Sequence, residues 1–185
     1  MTNLSIVLPT YNEKDNIIDL INKIKDVIQS YTYEIIVVDD NSPDKTFEIC
    51  KEYFINDKNI IMILRKTNYG LANSIREGIE NAKGEHVVIM DTDFTHDPNL
   101  IKQMLSINTK YNIISGSRFC KGGSMESTMH SILSRVYNKM IKFILQTKIE
   151  DNLGGFFCIE RKNLNQLPFE KIFYGYGDYY FRLLY

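Results

Sequence analysis

Long apolar runs are absent from this 185-residue sequence, and no stretch reaches the ~18 consecutive apolar residues that a membrane-crossing helix needs. The N-terminus, MTNLSIVLPTYNE, lacks the basic segment and cleavable apolar core of an export signal. These absences predict a chain that is soluble or at most peripheral to a membrane, in the cytoplasm or at its membrane face. Cysteine is scarce, and Cys50, Cys120 and Cys158 are odd in number and far apart. They suit neither a disulfide framework nor a cysteine zinc site, and read as small buried hydrophobes in a reducing compartment. His86, His96 and His130 have no metal-ligand spacing and read as structural or surface residues. Charge of one sign is not in excess, since the net charge is −1, so neither a nucleic-acid-binding stripe nor an acidic tail is present. Neither GxGxxG nor GxxxxGKS/T occurs, which excludes a dinucleotide fingerprint and a Walker phosphate loop. Repeats, low-complexity tracts and linkers are also missing, so residues 1–185 are expected to form one domain.

What is present is alternation. Short apolar runs at 4–9, 34–40, 59–65, 86–91 and 112–118 predict five strands. Helical spacing between them predicts helices over 13–29, after Ser42-Pro43, over 71–83 and from Asp97-Pro98. Asn12 reads as the cap of the first helix. Strands this apolar are buried on both faces, as in a parallel sheet covered by helices. The order predicts a doubly wound, Rossmann-like α/β domain that binds ligands beyond the carboxyl ends of its strands. Residues 1–118 carry the regular alternation and its ligand-binding strand ends, and 119–185 form a less regular second half. In the second half, KGGSMESTMH (121–130) reads as a mobile loop. Residues 131–146 read as an amphipathic helix that either docks on the core or lies on a membrane surface. FRLLY (181–185) reads as a helix cut short.

The chemistry gathers at the strand ends. VVIMDTDFTHDP (87–98) runs a buried strand into Asp91 and Asp93. Two unpaired carboxylates so close together repel each other, and a divalent cation removes that cost. Oxygen ligands suit Mg²⁺ or Mn²⁺, with Thr95 as a further hydroxyl. The alternative is that the two acids cap the following turn. Asp40 ends a strand where it can accept from a base or ribose, whereas Asp39 points the other way and is structural. Pro9, Tyr11 and Glu13 follow the first strand and offer a ring for a base and an acid for a sugar hydroxyl. Arg118 follows the fifth strand, where a guanidinium can neutralise a diphosphate.

LPTYNE (8–13), VVDDNSPDKT (37–46), NYGLANSIREGIENAKGE (68–85), MDTDFTHDP (90–98) and GSRFCKGG (116–123) resemble, in order and spacing, the family 2 glycosyltransferases. Within that family the nearest look is dolichyl- or polyprenyl-phosphate mannosyltransferase. The resemblance implies a GT-A fold, inversion at the anomeric carbon, and a nucleotide-sugar-binding half (1–118) followed by an acceptor-side half (119–185). It implies that Pro9, Tyr11, Glu13, Val38 and Asp40 hold the nucleotide and that Thr92 lies against the donor. It makes Asp91 and Asp93 the DxD pair on Mg²⁺ or Mn²⁺, with Thr95 beside them, and puts Arg118 on the diphosphate. The implied partners are a nucleoside diphosphate sugar, GDP-mannose or a UDP-sugar, and a polyprenyl phosphate or glycan acceptor. Departures from the lipid-phosphate pattern are Lys45 for Gly in SPDKT, Gly154 for Ser in DNLGGF, and His130 near a family Arg, for which Arg135 can substitute.

A lipid phosphate is already an anion and needs no base, whereas a sugar hydroxyl needs a carboxylate. Asp178 in YGYGDYYFRLL, followed by Arg182, is that base, a helix cap or ion-pair partner, or a donor-sugar contact. Two rivals fit less well. A phospho-receiver opens on an acid pair after its first strand, and here a complete strand and helix precede Asp39-Asp40. A nucleotidyltransferase opens on a Gly-rich basic loop, and LPTYNEKDN has no glycine. A binding module without turnover is the third alternative.

Overall fold

The computed structural model describes residues 3–107, 112–118, 128–147, 149–152 and 154–185, with only the backbone of 128–132. The side chain of His130, Cys120 and the stretch 121–127 lie outside the described residues. The chain runs β1 (Leu4–Thr10), α1 (Ile17–Ile28), β2 (Tyr33–Asp39), α2 (Thr46–Tyr53), β3 (Ile60–Leu64), α3 (Leu71–Asn81), β4 (His86–Ile89), α4 (Leu100–Ile107), β5 (Ile113–Ser115), α5 (Thr128–Leu145), β6 (Phe157–Glu160), α6 (Arg161–Leu164), α7 (Phe169–Ile172) and α8 (Tyr179–Leu184).

One six-stranded sheet, ordered β3-β2-β1-β4-β6-β5, forms the centre. β1 pairs in parallel with β2 and β4, and β2 with β3. β6 pairs antiparallel with both β4 and β5, so it alone runs against the other five. The sequence reading has no counterpart for β6. Its residues Phe157, Cys158 and Ile159 are nearly inaccessible, and it takes the place beside β4. β5 is thereby displaced to the edge, where its side chains are half-buried or exposed.

Strand alternation divides the core between the two faces. Ile6, Leu8, Ile35, Val37 and Val88 face α1, α2 and α4. Val7, Ile36, Val38, Val87 and Ile89 face α3 and the short helices α6 to α8. α1 buries Ile17, Leu20, Ile21, Ile24, Val27 and Ile28, the stripe that its periodicity predicts. Cys50 and Cys158 are buried, and burial pushes both thiols up to about 12, so they are inert hydrophobes as expected.

Helix starts differ from the sequence reading. Asn12 has a left-handed φ of 62°, and α1 begins later, with Asn16 at the N-cap position but its side chain turned to Glu13. α2 begins at Thr46, because Lys45 is left-handed (φ 68°) and Asp44 takes the Thr46 N–H at 3.0 Å. α5 docks through Ile141 and Asn138, while Leu133, Val136, Tyr137, Met140, Phe143 and Ile144 stay exposed. No helix among the described residues is long and apolar enough to cross a membrane.

Candidate active site

The carboxyl ends of β1, β2, β4 and β5 lie along one edge of the sheet, as parallel pairing requires, and the reversed β6 brings its leading end there. The loops that carry Pro9 to Glu13, Asp40, Asp91 to Thr95 and Arg118 therefore share that edge with Gly154 and Gly155.

A cavity of about 530 Å³ opens beyond β1 and β2, lined by Pro9, Tyr11, Asp40, Asn41, Tyr69 and Tyr176 among others. Three exposed tyrosine rings face a small set of polar groups, which is the usual make-up of a site for a planar ligand. Asp40 is fixed from three sides. Arg65 Nη1 donates to its Oδ1 at 2.6 Å, the Ser74 hydroxyl at 2.7 Å, and the Gly70 N–H donates to Oδ2 at 2.6 Å. Arg65 is itself held by Glu77 and by the Asn68 carbonyl. This cluster leaves Oδ2 with acceptor capacity toward the cavity. Asp39 is inaccessible and accepts from the Ser42 N–H and hydroxyl and from Thr10, which is the structural role expected for it. Val38 is also inaccessible, and its side chain packs in the core rather than lining the cavity.

Asp91, Asp93 and Glu13 form an acidic corner beside this cavity. Burial is the main cause that raises the Asp91 pKa; His96 and Arg118 oppose it, and the Asp93 charge adds to it. Glu13 is raised chiefly by burial, against a hydrogen bond from Asn16, with the charges of Asp93 and Asp91 adding. Thr95 donates both its N–H (3.0 Å) and its hydroxyl (2.6 Å) to Asp93 Oδ1, which fixes that carboxylate. Thr92 is buried, with its hydroxyl 3.4 Å from the Pro9 carbonyl. Gly155 makes room for Asp91, since a Cβ there would stand 3.0 Å from Asp91 Oδ2.

Among the described residues no three His, Cys, Asp or Glu side chains converge as a complete metal cage. Two carboxylates whose charges disfavour each other still fit Mg²⁺ or Mn²⁺, because such ions commonly take one or two carboxylates and complete their shell from substrate phosphates and water.

Arg118 donates from Nε (2.8 Å) and Nη2 (2.7 Å) to Asp151, whose carboxylate also accepts the Arg118 N–H at 3.1 Å. This pairing raises the Arg118 pKa, and Arg118 and Asp91 lie close enough to bias each other's ionisation. Asp178 is at the N-cap of α8 and pairs with Arg182, which also donates to the carbonyls of Ile172 (2.7 Å) and Tyr174 (2.6 Å).

The sequence reading missed Asp151, Arg65, Tyr69, Tyr176 and the place of His96. His96 stacks on Phe156 with ring centroids 5.0 Å apart, and its buried Nδ1, which has no hydrogen-bond partner, lies 3.8 Å from Asp91 Oδ2. Its position three residues past Asp93 was the only available signal.

The sequence profile of glycosyl transferase family 2 matches residues 5–167, nearly the whole of this structure. The chain belongs to that family. A dolichol-phosphate mannosyltransferase from Pyrococcus furiosus is 33% identical over 165 residues, covering 86% of this chain and 46% of the relative. An uncharacterised glycosyltransferase from Synechocystis is 32% identical over 171 residues, covering 89% of this chain and 53% of the relative. The chain thus spans about half the length of these family members. Glucosyl-3-phosphoglycerate synthase from Mycobacterium tuberculosis, solved with Mn²⁺, UDP and glucosyl-3-phosphoglycerate, superimposes with a TM-score of 0.76 at 19% identity, over 99% of this chain and 64% of that one. The fold is therefore GT-A, as the motifs imply.

Proposed function

We propose that this chain transfers a hexose, with inversion, from a nucleoside diphosphate sugar to a polyprenyl or dolichyl phosphate. The observation that carries this reading is the single sheet edge on which the Asp40 cavity, the Asp91–Asp93 corner and Arg118 meet. The donor is GDP-mannose or a UDP-sugar. The similarity to a dolichol-phosphate mannosyltransferase favours the first and also supports the lipid acceptor.

In this reading the base enters the cavity beside Asp40, and Glu13 faces the sugar. Asp91 and Asp93 hold Mg²⁺ or Mn²⁺, with Thr95 keeping Asp93 in place. When bound, the cation supplies positive charge to the donor diphosphate. The acceptor oxygen attacks the anomeric carbon from the face opposite the diphosphate. The bond from that carbon to the diphosphate oxygen breaks, and the electron pair leaves with the nucleoside diphosphate. Arg118, oriented by Asp151, neutralises the charge that develops there. A phosphate acceptor is already anionic and needs no base. Asp178 is then the partner of Arg182 that holds the turn before α8, whereas a saccharide hydroxyl acceptor would make it the base. A lipid acceptor puts the reaction at a membrane face, where the exposed apolar stripe of α5 makes peripheral contact.

The test is thermal unfolding with GDP, UDP, CDP and dTDP, each with and without Mn²⁺. A ligand at 100 times its Kd adds roughly 2.7 kcal/mol, a shift of about 5–10 °C for a domain of this size. The expected result is a shift that needs both Mn²⁺ and one particular nucleotide. Asp93→Ala should abolish the Mn²⁺-dependent shift and the sugar transfer while leaving the unliganded Tm unchanged. Full transfer by Asp93→Ala would overturn the metal role.

A further inference from the structure

One wall of the nucleotide cavity comes from the far end of the sequence. Tyr176 lies in the turn between α7 and α8 and lines the same cavity as Tyr11 and Asp40. Two sets of contacts hold that turn. On the cavity side, the Ala72 N–H donates to the Gly175 carbonyl at 3.2 Å. On the other side, Arg182 donates to the Ile172 and Tyr174 carbonyls, pairs with Asp178, and lays its guanidinium 3.9 Å from the centre of the Tyr174 ring. The backbone is thus held at both ends of the turn, yet Tyr176 remains 72% exposed. It has no share in the core. Its ring edge comes within 3.6 Å of the point where a Cβ on Gly70 would stand, directly beside the N–H that Gly70 gives to Asp40.

A large ring on a fixed turn is suited to a flat partner. Tyrosine supplies broad contact area with few rotatable bonds to immobilise, and an aromatic face stacks on any nucleobase. We propose that Tyr176 is a nucleobase-stacking residue, delivered to the donor site by the acceptor-side segment. The inference rests on reading this cavity as the nucleotide site. It makes Asp40 and Asn41 the groups that choose the base, while Tyr176 adds affinity whichever base is bound. It also gives the bound donor a direct hold on the turn that leads into Asp178 and α8.

Calorimetric Kd values for GDP and UDP with Mn²⁺ test this on the wild type, Tyr176→Ala and Tyr176→Phe, with inorganic pyrophosphate as the probe without a base. Tyr176→Ala should weaken the preferred nucleoside diphosphate by about 5- to 150-fold, the range for loss of one aromatic stack. Tyr176→Phe should stay within about twofold, because the ring remains. Pyrophosphate should bind all three alike. An unchanged nucleotide Kd in Tyr176→Ala overturns the inference and leaves the donor reading intact. So does an equal loss for pyrophosphate, or a loss in Tyr176→Phe as large as in Tyr176→Ala. Failure of the wild type to bind either nucleotide overturns both.

Discussion

In the proposed reaction Arg118 supplies positive charge to the donor diphosphate, and Asp151 holds its guanidinium in place. The carboxylate of Asp151 is 2% exposed and the Arg118 side chain 31%. Removing the acid would take from the guanidinium its ion pair with Asp151 at the edge of the core. Breaking a fully buried pair costs about 3–5 kcal/mol, and the partial exposure of Arg118 lowers this to about 2–3 kcal/mol. Asp151→Asn should therefore lower stability in urea by that amount, and should weaken pyrophosphate binding because the arginine loses its orientation. An unchanged urea midpoint would remove Asp151 from this role. Arg118 was legible in the sequence because it ends a strand. Asp151 was visible only as a letter of DNLGGF, since nothing local joins residues 33 positions apart. Asp39 and Asp40 were separable beforehand, because neighbouring strand residues face opposite sides and only one of two adjacent acids can reach a ligand.

Among the elements, the start of α3 shows how backbone geometry assembles the cavity. Gly70 has φ 127°, a conformation that L side chains rarely adopt, and a Cβ there would stand 2.5 Å from the Gly175 carbonyl oxygen. Gly70→Ala should thus push the 174–178 turn away from α3 and shift the N–H that fixes Asp40. Strain of this kind costs about 1–3 kcal/mol. The expected outcome is a lower Tm together with weaker nucleoside diphosphate binding, and wild-type values for both would contradict this account of the turn. Periodicity made β1 to β4 and α1 legible, since their apolar patterns are long and regular. β6 escaped because four residues after two glycines offer too short a pattern, and its place between β4 and β5 is set by pairing across the whole sheet. The helix starts were misplaced for a different reason: Asn12 and Lys45 adopt left-handed conformations that no periodicity reports.

At the scale of the whole molecule, the acidic edge of the sheet and the apolar stripe of α5 belong to the same proposal. Along α5, Leu133, Val136, Tyr137, Met140, Phe143 and Ile144 fall at helical spacing on one face, and every one of them is exposed. Only Ile141 and Asn138 of its described side chains are buried, so the helix docks by a narrow line and leaves its widest apolar face free. Lys139 lies beside the Phe143 edge of that face, whereas Arg135 and Lys142 project toward the far side of the helix, where Lys142 is paired with Glu150. Apolar residues with a basic one beside them fit a bilayer interface with anionic headgroups, where burying each large side chain contributes about 1.5–3 kcal/mol. The chain should therefore co-sediment with vesicles that contain anionic lipid and much less with neutral ones. Leu133→Glu and Phe143→Glu, at positions 69% and 86% exposed, should each reduce that binding by about tenfold or more. Neither should change the Tm or the nucleotide Kd, because neither side chain belongs to the core or lines the cavity. Vesicle binding that survives both substitutions would remove α5 from the membrane contact. A rise in Tm, or conversion of a dimer to a monomer, would assign the stripe to a contact between copies of the chain instead. In either case the lipid acceptor would lose its structural support, while the donor chemistry would stand on its own test.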